Sequence, residues 1–256
     1  MMPASESYKI TLQSQTVTFE LRRSNRRSIG FRINSNGLQI TAPHTMSLAQ
    51  IKQAVTEKSP WILRHLSRQQ QRNVAQKQAW QQWETHGQLP YLGVNIQVIA
   101  QPARTSPQFL GQLFAPTPGD TLMIPCEQEA PLATRTSLVE AWLKAQARVW
   151  FDQRLHVFLQ RSGSNLHSWR LSNAKTRWGS CSSKKRVNLN WRLIHFERIV
   201  IDYVIAHEVA HLRFMHHGPK FWEHLQHLMP DFSLGQTILK DHQPGEMPAL
   251  LPLSPA

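Results

Sequence analysis

Cysteine and long apolar runs are scarce in this sequence. The 256 residues include 2 cysteines, Cys126 and Cys181, which are too few for a disulfide framework and favour a reducing compartment. No apolar run approaches the roughly 20 residues of a membrane-spanning helix. The N-terminal residues also lack the apolar core of a signal peptide. We therefore expect a cytoplasmic protein without a membrane segment.

Acidic residues are also few, since 16 Asp and Glu stand against 29 Lys and Arg and the net charge is +13. Residues 1–80 hold twelve Lys or Arg, three Glu and no Asp, so they carry +9 of that total. A surface of this kind attracts polyanions by long-range, salt-sensitive forces. It predicts nucleotide or nucleic-acid affinity through the basic N-terminal region, with a solvated surface that only aids solubility as the alternative.

The first half of the chain alternates strand and helix patterns. Residues 8–42 contain three alternating apolar and polar stretches, with Asn36-Gly37 as a hairpin turn. Ser47 is a predicted helix N-cap, and Pro60 is expected to separate or kink two helices. Further short strands are predicted between Gly87 and Cys126. We expect these strands to join the first ones in a small N-terminal antiparallel sheet that packs against the helices.

The second half begins with a long amphipathic helix from about Pro131 to Arg161. Two strand segments follow, SWRLSN and RWGSCSSKKRVNLN, the second with a turn at Ser183-Lys184-Lys185. The predicted domains are residues 1–130 as an N-terminal β-rich region with helices, residues 131–240 as a catalytic domain, and residues 241–256 as an irregular tail.

The motif H-E-x-x-H lies at the centre of an apolar helical stretch, as His207, Glu208 and His211. Positions i and i+4 share one face of a helix, so both imidazoles can reach a single Zn²⁺. Glu208 lies about 100° further round and can touch a metal-bound water without binding the metal. Burial of two His and one Glu is costly unless they are paired or bind a metal. The pattern therefore predicts a catalytic metal site.

A catalytic zinc site usually has three protein ligands, and several residues are candidates for the third. His217 precedes Gly218-Pro219, where a helix stop could let the chain fold back over the metal. His216 would lie about 180° from His207 on a continued helix and is the weaker candidate. Spacing alone does not exclude three later residues, which are Glu223, His224 and His227.

Four other polar residues near the motif are candidates for a part in the metal site or in catalysis. The ligand rings need acceptors for their second nitrogen atoms, and Asp202 and Asp231 are available. Cys181 lacks a nearby base in the sequence, so we expect a packed thiol and not a nucleophile. Tyr203 is expected to be a core aromatic residue with a bonded hydroxyl, with oxyanion stabilisation as the alternative.

The stretch from Arg177 to Phe232 resembles the signature of the YgjP-like metallopeptidase-domain family, from RWGSC through HEVAHLRFMHHGPKFW. Four upstream pieces fit the same family, namely RRSNRRSIGFRI, LQITAP, KSPWILRHL and LPYLG. The resemblance implies an α+β fold, with a zincin-like C-terminal catalytic domain that contains the H-E-x-x-H helix and a small sheet. It also implies that His217 is the third ligand, and that Arg177 to Ser183 line the substrate cleft, with plain sheet packing of that segment as the alternative.

Motif and resemblance together predict a zinc-dependent hydrolase, specifically a metallopeptidase that acts on peptide or protein substrates. In this hypothesis His207, His211 and His217 bind one Zn²⁺ or another divalent metal, and Glu208 is the general base towards a metal-activated water. One alternative is a nucleoside triphosphate pyrophosphohydrolase that uses the same site. Another is a nucleic-acid-associated module with structural zinc, which would need four ligands. The sequence leaves the oligomeric state open.

The charge distribution makes a first testable prediction. Deletion of residues 1–80 should remove most of the protein's retention on heparin at low salt, because this region carries +9 of the net +13 charge. Retention of the intact chain should fall steeply as salt rises, as expected for release of counterions. Unchanged retention of the shortened chain would show that the basic N-terminal region has another role.

Overall fold

The computed structural model describes residues 6–34, 36–240, 242, 244 and 245. Within them the chain is mixed α+β, with eleven strands, six α-helices and one 3-10 helix, which confirms the predicted class. The chain forms two compact units, Met1–Lys77 and Gln78–Ala256. The predicted irregular tail, residues 241–256, lies almost entirely outside the described residues.

The first unit contains a four-stranded sheet, built from β1 (Glu6–Leu12), β2 (Gln15–Ser24), β3 (Gly30–Asn34) and β4 (Gly37–Pro43). Its strand order is β1-β2-β4-β3. The predicted β3–β4 hairpin is confirmed, and Gly37 begins β4 with φ 110°. The expectation of an antiparallel sheet is wrong in one respect, because β2 and β4 pair in parallel. The hairpin turns β4 back so that it runs alongside β2 in the same direction.

Two helices follow this sheet, α1 (Leu48–Glu57) and α2 (Ser59–His86). Ser47 caps α1 as predicted, in a capping box in which its hydroxyl accepts from the amide of Gln50 and the Gln50 side chain accepts from the amide of Ser47. The break before Pro60 is also confirmed. The core of the first unit combines sheet residues such as Phe19 and Ile40 with Ile51 and Val55 of α1.

The second unit has its own four-stranded sheet, with β5 (Gln88–Tyr91), β6 (Val94–Ala100), β7 (Gln108–Leu110) and β8 (Thr121–Ile124) in the order β5-β6-β8-β7. The prediction that these strands would join the N-terminal sheet is therefore wrong. Their apolar residues share a core with the helices that follow, including Ile96, Leu122 and Leu143. The predicted boundary after residue 130 thus falls inside the second compact unit.

The long helix and the two strand segments form as predicted. Helix α3 (Leu132–Ser162) precedes a three-stranded sheet of β9 (Ser168–Ser172), β10 (Gly179–Cys181) and β11 (Arg186–Asn190), in the order β10-β11-β9. β10 and β11 form an antiparallel hairpin, and Lys185 in its turn has φ 54°. β11 pairs in parallel with β9.

A 3-10 helix (Trp191–His195) leads from this sheet into α4 (Arg198–Ala210), which is followed by α5 (Pro219–Leu228) and α6 (Phe232–Leu239). α4 is the most deeply buried helix of the unit, since nine of its thirteen residues are buried. A bidentate ion pair joins it to α3, with Arg154 Nε and Nη2 at 2.6 and 2.8 Å from the Asp202 carboxylate. This packing fixes the helix that bears the H-E-x-x-H motif.

Among the residues that the structure describes, we found no helix with the length and apolar character that crossing a bilayer requires. The cytoplasmic location stays a prediction.

Burial along α3 makes a prediction about stability. Val139→Ala should lower the free energy of unfolding by about 2 kcal/mol, because it deletes two buried carbon atoms and leaves a cavity. Val139 is 0% exposed, whereas Val149 on the same helix is 47% exposed. Val149→Ala is the matched control and should change stability by about 0.5 kcal/mol or less. Urea unfolding of both variants measures the difference, and equal losses would contradict the described packing of α3.

Candidate metal centre

Helix α4 carries the first part of the motif and ends earlier than the sequence suggested. His207 and Glu208 lie in its last turn, and His211 is its C-cap residue, with its amide 3.2 Å from the His207 carbonyl oxygen. The chain then leaves the helix through a turn over residues 211–213. The argument that placed His216 by continued helical rotation therefore does not apply.

Gly218 also has a role other than the predicted one. Its φ of −81° and ψ of 178° are extended, and it is the N-cap of α5, with Pro219 in the first helical turn. The prediction that Gly218-Pro219 ends the metal helix is therefore wrong, because α4 ends well before Gly218. Pro is favoured in the first turn of a helix, where its missing N–H costs nothing.

Helix α5 holds the segment that contains His217. The indole Nε1 of Trp222 donates a hydrogen bond to the His217 carbonyl oxygen at 3.0 Å. The rings of His217 and Trp222 stack with centroids 5.7 Å apart, and the buried ring of Phe221 lies 4.7 Å from the His217 ring. The apolar face of α5 thus turns the His217 imidazole towards α4.

The structure brings together the three His residues that sequence analysis selected. His207 Nε2 lies 3.2 Å from His211 Nε2 and 3.0 Å from His217 Nε2. Each of the three residues offers a nitrogen, and these atoms all lie within 4.8 Å of one another. Among the described residues, this group does not include His216, Glu223, His224 or His227.

These distances between ring nitrogens fit three nitrogen atoms bound to one metal ion better than three rings hydrogen-bonded to one another. Two nitrogen atoms bound to a tetrahedral zinc at about 2.0–2.1 Å are about 3.3 Å apart. Burial, with smaller contributions from the neighbouring His211 and His217, lowers the pKa of His207 to about 3. Burial also lowers the pKa of His211. Neutral imidazoles with their lone pairs directed at one point are the form that binds a divalent cation, so His207, His211 and His217 could hold one.

The acceptors behind these rings differ from those suggested by the sequence. His211 Nδ1 lies 3.0 Å from the Phe214 carbonyl oxygen, which is a common partner of a metal-binding imidazole. His207 Nδ1 is buried and has no hydrogen-bond partner among the described residues. Asp202 is instead paired with Arg154, and Asp231 precedes α6 as its N-cap residue.

Glu208 is a buried carboxyl group in the same helix turn as His207. It is 5% exposed, and its Oε2 atom has no hydrogen-bond partner within the described part of the chain. Burial raises the pKa of Glu208 from 4.5 to about 8, and the guanidinium of Arg177 opposes the rise. An orphaned buried carboxylate is costly in a purely structural protein. Such a buried carboxyl group is suited to receive a proton from a water or substrate molecule bound at the site.

Gly179 lets this carboxylate reach its position, and sequence analysis did not predict that role. A Cβ atom at residue 179 would overlap Oε1, Cγ and Cδ of Glu208. The backbone of β10 therefore passes directly against the carboxylate, which only a residue without a side chain permits. Gly179 stands in the RWGSC motif, but the motif alone does not show which distant side chain it faces.

Two nearby residues have properties of packed groups. Burial, together with the charge of Glu208, raises the pKa of Cys181 to about 11, so its thiol stays protonated at neutral pH. Tyr203 is buried, and its pKa is raised mainly by burial, while its hydroxyl bonds to Gln236. These observations agree with the expectation of a packed thiol and a core aromatic residue.

Comparisons with known proteins bear on the whole chain. A crystal structure of the metallopeptidase zymogen of Pyrococcus abyssi abylysin is similar at 20% identity, over 35% of this chain and 92% of that chain, with a TM-score of 0.33. Comparison with curated proteins found no match. A family model described as YgjP-like, metallopeptidase domain, matches residues 27–242. That match covers most of the chain and includes α4, the turn after it and α5, which together place the three His residues. The chain therefore belongs to the YgjP-like metallopeptidase-domain family.

Proposed function

We propose that the protein is a metal-dependent peptidase, with its active site at the His207, His211 and His217 cluster. Membership of a metallopeptidase-domain family supports a hydrolase of peptide or protein substrates and implies a divalent metal. One observation carries the proposal for this site. Three imidazole nitrogens converge, and the helix turn that bears His207 also bears the buried Glu208, whose Oε2 atom has no partner among the described residues.

His207, His211 and His217 would hold the metal, for which zinc is the best match to three nitrogen donors. When bound, such an ion acts as a Lewis acid on the scissile carbonyl and lowers the pKa of water at its open position towards about 7. Burial keeps the rings of His207 and His211 neutral, and the Phe214 carbonyl fixes the tautomer of His211. α5 keeps His217 in place through Trp222.

Glu208 would act as the general base and then as the general acid. Its unpartnered Oε2 atom accepts a proton from the attacking water and returns it to the nitrogen of the leaving amine. Burial raises the pKa of Glu208 towards neutral pH, which suits a group that has to take up a proton and then release it. Gly179 keeps the carboxylate close to the β10 backbone, and Arg177 stabilises its ionised form.

The two alternatives from sequence analysis stay predictions. A pyrophosphohydrolase would use the same three His residues and the same base, so substrate turnover has to distinguish it. A structural zinc module needs a fourth ligand, and the candidate group within the described residues has three members. An unpartnered buried carboxylate beside these rings would have no purpose in such a module.

Replacement of the base is the direct test. Glu208→Gln should lower peptide turnover by about 10²- to 10⁴-fold, because the amide cannot accept the proton. Zinc content should stay at one ion per chain, as measured by metal analysis after dialysis. Glu223→Gln is the matched control, since Glu223 is an exposed residue of α5 outside the His cluster, and it should retain full turnover.

Nucleoside triphosphate turnover, measured with the same variants and with a chelator, covers the main alternative. If peptides are not cleaved and the triphosphate is hydrolysed in a Glu208-dependent reaction, the peptidase proposal is wrong. If Glu208→Gln cleaves peptides at the normal rate, its role as the base is wrong.

The ligand set makes a separate prediction. His207→Ala and His211→Ala should abolish stoichiometric zinc binding, and His217→Ala should weaken zinc affinity by roughly 10- to 100-fold or more. His216→Ala is the matched control, because His216 neighbours His217 but lies outside the cluster. Competition with a fluorescent chelator measures the affinities. A larger loss in His216→Ala than in His217→Ala would overturn the ligand assignment.

A further inference from the structure

A cavity of about 470 Å³ opens between α4, α6 and the residue that precedes β10. This volume lies within the range of about 300–1,000 Å³ that is usual for ligand pockets. Six described residues line it, namely Trp178, Tyr203, Gln236, Thr237, Leu239 and Lys240. Apolar surface with a few polar groups at its edge is the composition expected of a binding pocket.

The cavity lies on the face of α4 that carries the metal cluster. Tyr203 precedes His207 by four residues, and positions i and i+4 of a helix share one face. The Tyr203 ring meets the His207 ring edge to face, with centroids 5.8 Å apart. Burial raises the pKa of Tyr203, the hydrogen bond to Gln236 opposes the rise, and the charge of Glu208 adds to it. Tyr203 therefore contacts one ring of the cluster and interacts with the proposed base.

The opposite wall of the cavity also adjoins the proposed base. Trp178 comes directly before Gly179, and a Cβ atom on Gly179 would overlap the Glu208 carboxylate. The Trp178 ring packs edge to face against Phe196, which precedes α4, with centroids 5.2 Å apart. Both walls of the cavity are thus one contact or one residue away from the groups at which the bond would be cleaved.

A row of stacked rings joins the cavity to the third His residue. His217 stacks on Trp222 with centroids 5.7 Å apart, Trp222 on Phe232 at 6.0 Å, and Phe232 on Tyr203 at 6.4 Å. Trp222 and Phe232 are half-buried, so part of this row is open to solvent. A ligand group that lies between the metal cluster and the cavity would therefore meet aromatic surface.

Close packing fixes α6 against α4 at the cavity. A Cβ atom on Gly235 would overlap the Ile199 carbonyl oxygen and the Tyr203 Cβ atom, so the two helices approach as closely as their backbones permit. The Tyr203 hydroxyl also bonds to Gln236 of α6. The wall that α6 supplies is therefore held at a set distance from Tyr203.

The loop that leads into β10 is anchored by buried residues. Asn190, which is fully buried, donates through Nδ2 to the Ala174 carbonyl oxygen at 2.8 Å, and its amide donates to the Trp178 carbonyl oxygen at 2.7 Å. Trp191 Nε1 donates to Asn173 Oδ1 at 3.1 Å. The backbone of the loop, and with it the position of Trp178, is therefore fixed.

The segment after α6 connects that helix to the same loop. Trp178 Nε1 donates to the His242 carbonyl oxygen at 3.0 Å, and the amide of Gly245 donates to the Lys175 carbonyl oxygen at 2.8 Å. The loop and α6 thus form two sides of the cavity and are hydrogen-bonded to each other through this segment. A ligand would not have to organise these walls before it binds.

We infer that the cavity between Trp178, Tyr203 and the end of α6 is a substrate subsite for a large apolar side chain, so that the protein prefers peptides with an aromatic or long aliphatic residue next to the cleaved bond. This inference rests on the proposed peptidase function. Trp178, Tyr203 and Leu239 offer apolar surface, and moving a side chain such as that of phenylalanine from water onto such a surface is favourable. The exposed Lys240 at the edge repels a lysine side chain at the same substrate position.

The test uses the zinc-loaded full chain and matched quenched fluorescent peptides with phenylalanine, leucine, alanine or lysine at a single position beside the cleaved bond. At one such position, kcat/KM for the phenylalanine peptide should exceed that for the alanine peptide by roughly 10-fold or more, with the lysine peptide lowest. Equal cleavage of the phenylalanine and alanine peptides at every position would overturn the subsite and leave the peptidase function intact.

Filling the cavity is a sharper test of its role. Thr237 is an exposed residue of α6 that lines the cavity, so Thr237→Phe should place a ring in it without disturbing the core. The variant should lower kcat/KM for the phenylalanine peptide roughly 10-fold more than for the alanine peptide. Leu234→Phe is the matched control, because Leu234 is a 60% exposed residue of the same helix outside the described lining, and it should keep the full preference. Equal losses for both peptides in Thr237→Phe would contradict the subsite.

A binding measurement separates the subsite from the reaction. Fluorescence anisotropy of dye-labelled peptides of the same sequences on Glu208→Gln protein should show tighter binding of the phenylalanine peptide than of the alanine peptide. Addition of Thr237→Phe to that protein should remove the advantage. This result would support the subsite even if no peptide were cleaved, whereas equal binding of the two peptides would overturn it.

Discussion

The burial of one carboxylate on α4 is the constraint on which the rest of the second unit depends. Glu208 lies on a helix whose buried residues are otherwise almost all apolar, and the β10 backbone at Gly179 presses against it. A group in that position has lost water without gaining a full set of partners. The surrounding core has to be stable enough to hold it, which the packing of α4 against α3, α6 and the small sheet provides.

The placement of the His cluster follows from where α4 ends. His207 and Glu208 stand in the last turn of α4, and His211 is its C-cap residue. The turn and α5 then deliver His217 from a separate element. The cluster is therefore assembled from a helix end and the segment that leads into the next helix.

Sequence reasoning found the features that depend on local pattern. Spacing identified His207, Glu208 and His211, Ser47 was recognisable as a cap, and apolar periodicity predicted α3. It failed where long-range packing decides the outcome. The parallel pairing of β2 with β4 and the separate sheet of the second unit depend on contacts distant in sequence. Gly179 likewise needs the fold, because Glu208 is its partner only in three dimensions.

The anchoring of the β9–β10 loop has a thermodynamic consequence. Asn190 and the 3-10 helix that follows it hold this loop, and the same stretch of chain runs directly into α4. The loop before β10 and the helix that bears Glu208 are therefore held by one continuous segment, and a ligand that contacts both need not draw two independent elements together. Less conformational entropy is lost on association, so more of the contact energy remains as affinity.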